Sequence, residues 1–376
     1  MRTGSPTPCR DLQGRLLAAA GPQSRLDLVL SRCRVRIFTD DDSLLAALQN
    51  YFREFIDQPA TTRDKTEPAD LEILALSGET PALPGALTIK EDDKGRPARE
   101  AWIDLADGRI VHKIRTGVVL VMGEGVELIT GPLLGHVDQV VNFVNHRLMC
   151  RLIRDGGVLA HAAGIARDDR GLVLCGNSGA GKSTLALHMM AADPSLAFVS
   201  NDRAVLDRQA AAGTTILGIP KQPRVNPGTV LHNPALAPLI DERERQRYTA
   251  MPSAELRFLE EKRDAVIERL FGPGRFRLEV TAIALIVLRW TPEGGSMQIR
   301  EVTLEGRRDL QAILHKRLGL FFWPLPTPSD DAGLAALARV LRGVPTYEVH
   351  GGIDFEAASN WTRRLLAEAP APPIRQ

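Results

Sequence analysis

An α/β fold, α+β overall, is predicted by three features of this 376-residue chain. An apolar run, Leu172-Val173-Leu174-Cys175, enters the glycine-rich stretch Gly176–Thr184, and Leu185, Ala186, Leu187, Met189 and Met190 follow with helical character. Short alternating segments between residues 71 and 129 read as strands, and apolar positions recur at helical spacing over 41–55 and 136–153. The expected architecture is a phosphate-loop core behind a mixed, β-rich N-terminal module. With 44% hydrophobic and 25% charged residues, the chain can bury one large core or two medium ones.

In chain order, Leu26–Ile37 alternates well enough for one or two strands. Asp41–Phe55 then presents Leu44, Leu45, Leu48, Tyr51, Phe52 and Phe55 along a helix. Gln58–Asp70 is rich in Pro, Asp, Lys and Thr and reads as a loop. Strands are expected at Leu71–Ser77, Ala101–Leu105, Arg109–Arg115, Val118–Met122 and Val126–Ile129, with a turn at Asp107-Gly108. Such a run of short strands implies mostly antiparallel pairing. His136–Ile153 places Val137, Val140, Val141, Val144, Leu148 and Leu152 on one helix face and is closed by Gly156-Gly157. Further on, Asp241–Arg247 and a helix over Ala254–Leu270 carry mixed charges that suit a solvated face more than a substrate-docking surface. Thr281–Trp290 is apolar and β-branched, a buried strand, and Ala369–Gln376 reads as a disordered Pro/Ala-rich tail. The domain reading is therefore 1–134, 135–368 and a tail from 369.

Gly176-Asn177-Ser178-Gly179-Ala180-Gly181-Lys182-Ser183-Thr184 has the full spacing of a phosphate-binding loop, between a strand and a helix as that chemistry requires. Glycines let successive backbone N–H groups face a phosphate, with the positive end of the following helix behind them. Lys182 supplies an ammonium for the β- and γ-phosphates of ATP, and Ser183 a hydroxyl for Mg²⁺.

Upstream, His161–Ala166, a turn at Arg167–Gly171 and the strand into the loop form a hairpin signature. Pairing about that turn sets His161 opposite Gly176–Ser178, either beside the bound phosphates or as a core histidine satisfied by a carbonyl. Downstream, Leu196–Val199 is a short buried strand ending in Ser200-Asn201-Asp202-Arg203. In a parallel sheet its end shares an edge with the loop, which makes Asp202 a metal or catalytic carboxylate, or else a turn cap. Arg203 could serve the γ-phosphate or pair with Asp202. The proline-dense stretch Gly218–Thr229, with Lys221 and Arg224, reads equally as a substrate loop or a rigid connector.

His161, the hairpin, the loop and the strand ending in Asp202 together resemble the HPr kinase/phosphorylase family, whose catalytic domain is related to phosphoenolpyruvate carboxykinase. The likeness is concentrated in His161–Arg208, and Val199-Ser200-Asn201-Asp202-Arg203 is most similar to the branch called HPr kinase-related kinase B. The resemblance implies a phosphoenolpyruvate carboxykinase-like core, ATP, Mg²⁺ held by Ser183 and Asp202, and γ-phosphoryl transfer to a hydroxyl, most often of a protein serine. Members of that branch tend to be encoded beside an ATP-grasp enzyme and other small proteins, which are therefore candidate partners.

Two departures limit the carry-over. The family's Asp-Asp pair, one carboxylate for metal and one as proton acceptor, is here Asn201-Asp202, and an amide takes no proton. The Glu-x-Arg-Gly-x-Gly signature is absent, with Gly218–Arg224 near its place. HPr itself is then not the expected substrate.

The function expected is that of a kinase, with Lys182, Asp202, His161, Asn201 and Arg203 at the chemistry and a protein or small-molecule hydroxyl as acceptor. The alternative is a nucleotide-gated binding module with weak transfer. A motor or transporter ATPase is disfavoured, since no Leu-Ser-Gly-Gly signature and no strand ending Asp-Glu is found. The 47 Lys and Arg nearly cancel the 46 Asp and Glu, so neither nucleic acid nor a membrane is the expected partner. The scattered cysteines 9, 33, 150 and 175 form no CxxC pair and suit a reducing cytoplasm. A homo-oligomer stays open.

Overall fold

Two hydrophobic cores divide the chain. In the computed structural model the described residues are 8–57, 68–91, 95, 97–209, 213–252, 255–256, 259 and 261–368. They fall into two units: one runs to Asp155 and takes back Leu318–Thr327, and the other holds Gly156–Arg317 and the chain from Pro328. Each has its own sheet, and both sheets mix parallel with antiparallel pairs, an α+β architecture.

In the first unit the strands are β1 (Ser24–Leu30), β2 (Cys33–Thr39), β3 (Leu71–Ser77), β4 (Thr88–Ile89), β5 (Glu100–Leu105), β6 (Gly108–Lys113), β7 (Val119–Gly123) and β8 (Val126–Gly131). They pair in the order β1-β2-β3-β8-β7-β6-β5-β4, antiparallel except for β2–β3 and β3–β8. Strict alternation puts Leu26, Leu28 and Leu30 on the buried side of β1 and Val35 and Ile37 on that of β2. The helix α1 (Pro8–Ala19), which the polar start of the sequence conceals, is anchored from far away. The Asp107 carboxylate accepts from the backbone N–H groups of Cys9 and Arg10. Burial raises the pKa of that carboxyl, and these donors more than offset it, so the net shift is downward. The next helix, α2 (Asp42–Phe52), is capped by Asp41, which accepts from Ser43 and Leu44 at 2.9 and 3.0 Å.

The helix α3 (Val137–Arg154) packs on β3 and β8 and so belongs to this unit, where the sequence reading starts the second domain at 135. The reason lies in its buried side. Arg147, 1% exposed, bonds Glu127 and donates to the carbonyl of Trp323 at 2.7 Å, so a segment from far down the chain closes over this helix. Local periodicity carries no information about such a partner.

The second unit adds β9 (Val158–Ala160), β10 (Ala162–Arg167), β11 (Arg170–Gly176), β12 (Leu196–Ser200), β13 (Ala204–Gln209), β14 (Gly213–Leu217), β15 (Arg224–Val225), β16 (Arg263–Asp264), β17 (Glu279–Leu288), β18 (Gln298–Val302) and β19 (Thr346–His350). Its helices are α4 (Lys182–Ala192), α5 (Pro227–Leu231), α6 (Glu242–Thr249), α7 (Ile267–Phe271), α8 (Arg308–Leu314), α9 (Asp330–Val340) and α10 (Phe355–Glu368). The sheet runs β12-β10-β11-β17-β14-β13-β9, with β19 on β17 and β18 on β19. The expected buried strand at 281–290 is β17, flanked in parallel by β11 and β19.

Two expectations are corrected here. The sheet beside the loop is not parallel, because β10 lies antiparallel between β11 and β12. Those outer strands nevertheless run in the same direction, so the end of β12 and the end of β11 still reach one edge. The single helix expected over 254–270 is also replaced: within its described part, Glu255-Leu256 and α7 are helical, but between them β16 is extended and pairs with β15. Tertiary pairing with β15 overrides the charge pattern. The expected loop over Gln58–Asp70 falls largely, and the expected tail at 369–376 entirely, outside the described residues.

Candidate functional site

The β10–β11 hairpin has the register expected of it. Arg167 pairs with Arg170 about Asp168-Asp169, Ala162 pairs with Cys175, and the next step along the ladder sets His161 at the start of the loop. Asp168 takes the left-handed conformation, φ 52°, that a tight hairpin needs. From Gly176 the loop runs to Gly181, which caps α4 at φ 89°. Gly181 has a second reason to lack a side chain, since a Cβ there would lie 2.7 Å from the Phe355 ring. Trp290 packs edge-on against that ring at 5.0 Å and donates its indole N–H to the Ala180 carbonyl at 2.8 Å. The loop thus rests on an aromatic pair that its own sequence does not announce.

Lys182 opens α4 and is buried, with Nζ donating to the carbonyls of Gly176 at 2.8 Å and Asn177 at 3.4 Å. Burial pushes its pKa down. The ammonium is folded over the loop backbone, where it can exchange carbonyls for phosphate oxygens. Next in sequence, the Ser183 hydroxyl donates to Asn201 Oδ1, and Thr184 Oγ1 lies 2.9 Å from Thr229 Oγ1. The second contact ties the segment 218–229 to the loop helix.

Beyond the end of β12, Asp202 has φ 62°, a conformation rare outside glycine but tolerated by Asp. Its half-exposed carboxylate meets His161 Nε2 at 3.0 Å through Oδ1 and Lys316 Nζ at 3.8 Å through Oδ2. The hydrogen bond from His161, and then the charge of Lys316, hold this carboxyl well below the usual carboxylate range. Both partners arrive by one device. Ala160 bridges His315, and the His161 backbone N–H donates to the Leu314 carbonyl at 2.7 Å, which sets Lys316 beside the start of β10.

Of the residues named from sequence, His161 and Asp202 are brought into contact, Lys182, Ser183 and Thr184 form the first turn of α4, and Asn201 lies on Ser183 rather than beside His161. Arg203 turns back through its backbone N–H to the Asn201 carbonyl at 2.7 Å, and burial lowers its pKa while Asp202 raises it. Lys316 was missed. It belongs to an ordinary basic run, His315-Lys316-Arg317, and only the bridge at Ala160 gives it a place. Trp290 and Phe355 were missed for the same reason.

Among the described residues no cluster of three or more His, Cys, Asp or Glu could hold a metal ion. Mg²⁺ held together with a nucleotide needs no such cluster, since it takes one or two protein ligands and completes its octahedron with phosphates and water. The Ser183 hydroxyl and the Asn201 amide oxygen are oxygen donors of the right hardness for it. A surface groove of about 360 Å³ lies apart from this site, within the first unit, and is lined mainly by apolar groups such as Leu12, Leu16 and Leu83, with Arg15 beside them.

Fold and site together define an α+β chain with a glycine-rich loop leading into α4 and an adjoining His–Asp–Lys group. No family model matches the chain, and no curated protein matches it in sequence. Among solved structures it is similar to the HPr(Ser) kinase/phosphatase from Coxiella burnetii, at 12% identity and a TM-score of 0.29, over 56% of this chain and 91% of that one. At so low a score the likeness carries no argument about this site. Among the described residues no helix is long and apolar enough to cross a membrane.

Proposed function

We propose that this chain is an ATP-dependent kinase that passes the γ-phosphoryl group to a hydroxyl of a protein, a serine foremost, or of a small molecule. The observation that carries the reading is the contact of His161 with Asp202 at the edge where the loop and Lys182 lie. A complete phosphate loop beside a carboxylate–imidazole pair is what a phosphotransferase needs and a mere nucleotide sensor does not.

The loop N–H groups and Lys182 hold the phosphate chain. Ser183 and Asn201 face the position for Mg²⁺, which when bound neutralises charge on the phosphates. This distributes roles differently from the expectation that Asp202 holds metal and residue 201 stands in for the base. Asp202 orients the acceptor hydroxyl and takes its proton as the new O–P bond forms and the bond from the γ-phosphorus to the β-bridging oxygen breaks, with ADP as the leaving group. His161 keeps the carboxylate in position and shares that proton. Lys316 shifts from Asp202 towards the transferring phosphoryl group, and the carboxylate gains basicity as its cation withdraws. A weak base suffices, because positioning and charge neutralisation dominate phosphoryl transfer.

A second reading, a nucleotide-gated binding module with slow transfer, is favoured by one observation. The group on Ser183 is a neutral amide, which holds Mg²⁺ less firmly than a carboxylate. Incubation with γ-labelled ATP and co-encoded proteins, including an ATP-grasp enzyme where one is encoded, separates the two. Label on a protein or a small molecule supports the kinase. ATP binding without transfer to any of them supports the module, and absence of ATP binding defeats both.

A further inference from the structure

The peptide unit between Ala180 and Gly181 has one end tied and the other open. Its carbonyl accepts the Trp290 indole N–H at 2.8 Å, and its N–H, that of Gly181, has no hydrogen-bond partner among the described residues. The peptide bond is trans, so the two groups point in opposite directions. The indole therefore aims the Gly181 N–H away from the aromatic pair. Without that bond the peptide could turn over, because a glycine at φ 89° tolerates a rotation that other residues resist.

Trp290 is itself held firmly. Leu288 pairs with Gly176 where β17 and β11 end, so the two chains leave the sheet side by side. On either side of Trp290, the Arg289 N–H donates to the Val349 carbonyl at 2.8 Å and the Thr291 N–H to the Gly351 carbonyl at 2.9 Å. These bonds carry the β17–β19 pairing past both strand ends. The indole is 5% exposed, with the Phe355 ring edge-on against it. On the loop, the Ala180 N–H donates to the Asn177 carbonyl at 3.0 Å, and a Cβ on Gly176 would lie 2.9 Å from the Ala180 methyl. A buried indole N–H needs an acceptor. Here it takes a carbonyl whose direction decides where the Gly181 N–H points.

We propose that Trp290 is a positioning residue for the nucleotide: by fixing the Ala180 carbonyl it presents the Gly181 N–H to the phosphate chain. The proposal rests on the phosphate-loop part of the kinase reading and on no assignment at Asp202 or His161. One peptide joins the two hydrogen bonds, so each strengthens the other. A phosphate oxygen that accepts from Gly181 polarises the peptide and makes its carbonyl a better acceptor for the indole. Trp290 therefore registers an occupied loop without touching the nucleotide.

The probe is a non-hydrolysable ATP analogue, titrated with Mg²⁺ by calorimetry into the full chain. Trp290→Phe keeps an aromatic ring and loses the donor. Site-specific replacement of Trp290 by the isostere in which sulfur takes the place of the indole N–H keeps the shape as well, so its loss belongs to the N–H alone. Both variants are expected to bind the analogue about tenfold more weakly, the effect of one hydrogen bond in a charged setting. Unchanged affinity in the isostere variant overturns the proposal and leaves the phosphate loop standing. If Trp290→Phe does not fold, the isostere decides by itself. Failure of wild type to bind the analogue defeats the loop reading and the proposal together. A second readout is one that a merely structural tryptophan would not move. In ¹⁵N-labelled wild type, the indole N–H resonance that the isostere variant lacks should shift downfield when Mg²⁺ and the analogue are added. A resonance that stays in place while the analogue binds overturns the proposal.

Discussion

The Ser183 hydroxyl donates to the Asn201 side-chain oxygen, while the neighbouring Asp202 turns to His161. Adjacent residues therefore meet two different partners. Since Asp202 has φ 62°, the backbone reverses locally and sends the two side chains to different partners. On the reading that residue 201 stands for the base, Asn201→Asp would restore proton transfer. In this geometry it puts a carboxylate on the metal side instead.

Asn201→Asp is accordingly expected to lower the Mg²⁺ concentration needed for half-maximal nucleotide binding by about tenfold, as changes at metal-side oxygens do. Single-turnover transfer at saturating Mg²⁺ should change much less. A large rate gain at saturating Mg²⁺ with an unchanged Mg²⁺ requirement would return the base role to position 201.

Lys182→Ala should abolish productive Mg·ATP binding. Its ammonium lies directly on the loop carbonyls of Gly176 and Asn177, whereas Lys316 is engaged with Asp202. Calorimetry with Mg·ATP checks this, and unchanged affinity would remove the phosphate-loop assignment altogether.

Asp202→Asn should leave nucleotide affinity within a few-fold and reduce transfer by about 10²–10⁴, the usual effect of removing a positioned base. It also has a pH signature. The His161 hydrogen bond and Lys316 lower the folded-state pKa of Asp202 below its unfolded value, so the stability it contributes is present above about pH 4 and is lost as pH falls towards the folded value. The gap in thermal midpoint between wild type and Asp202→Asn should therefore be constant from pH 7 down to about pH 4 and narrow progressively below it. A gap that stays constant as pH falls well below about 4 would mean that the carboxylate's charge is not what the fold uses.

Gly181→Ala tests the aromatic seat of the loop. The new methyl meets both a positive φ and the Phe355 ring, an expected cost of about 1–3 kcal/mol. Adding Phe355→Leu should recover the contact part and not the backbone part, as denaturant unfolding of the single and double variants would show.

Arg147→Ala leaves Glu127 without its buried partner and the Trp323 carbonyl without its donor. Breaking one side of a buried ion pair costs about 3–5 kcal/mol. Unfolding monitored in the full chain should show that loss, and proteolysis should first cut within 318–327, the segment that Arg147 clasps. A loss under about 1 kcal/mol would show the pair to be dispensable.

Most strands and the glycine-rich turn from β11 into α4 were legible in the sequence because their signals are local. Alternation in 24–39, the helical spacing in α2 and α3, and the glycine spacing from 176 to 181 each lie within a window a few turns long. Pairing about Asp168-Asp169 is local too, which is why the position of His161 could be read by counting residues along the hairpin. The tertiary structure decided everything that depends on contacts between distant segments. The capping of α1 by Asp107 spans 98 residues, the bridge from Ala160 to His315 delivers Lys316 to Asp202, and β16 replaces a helix because β15 offers it a partner. The separate partners of Asn201 and Asp202 are of the same kind. A sequence records that the two side chains are neighbours, but which way each points depends on a left-handed backbone angle at Asp202 and on the groups waiting at Ser183 and His161, which the fold brings to it from the first turn of α4 and from the start of β10.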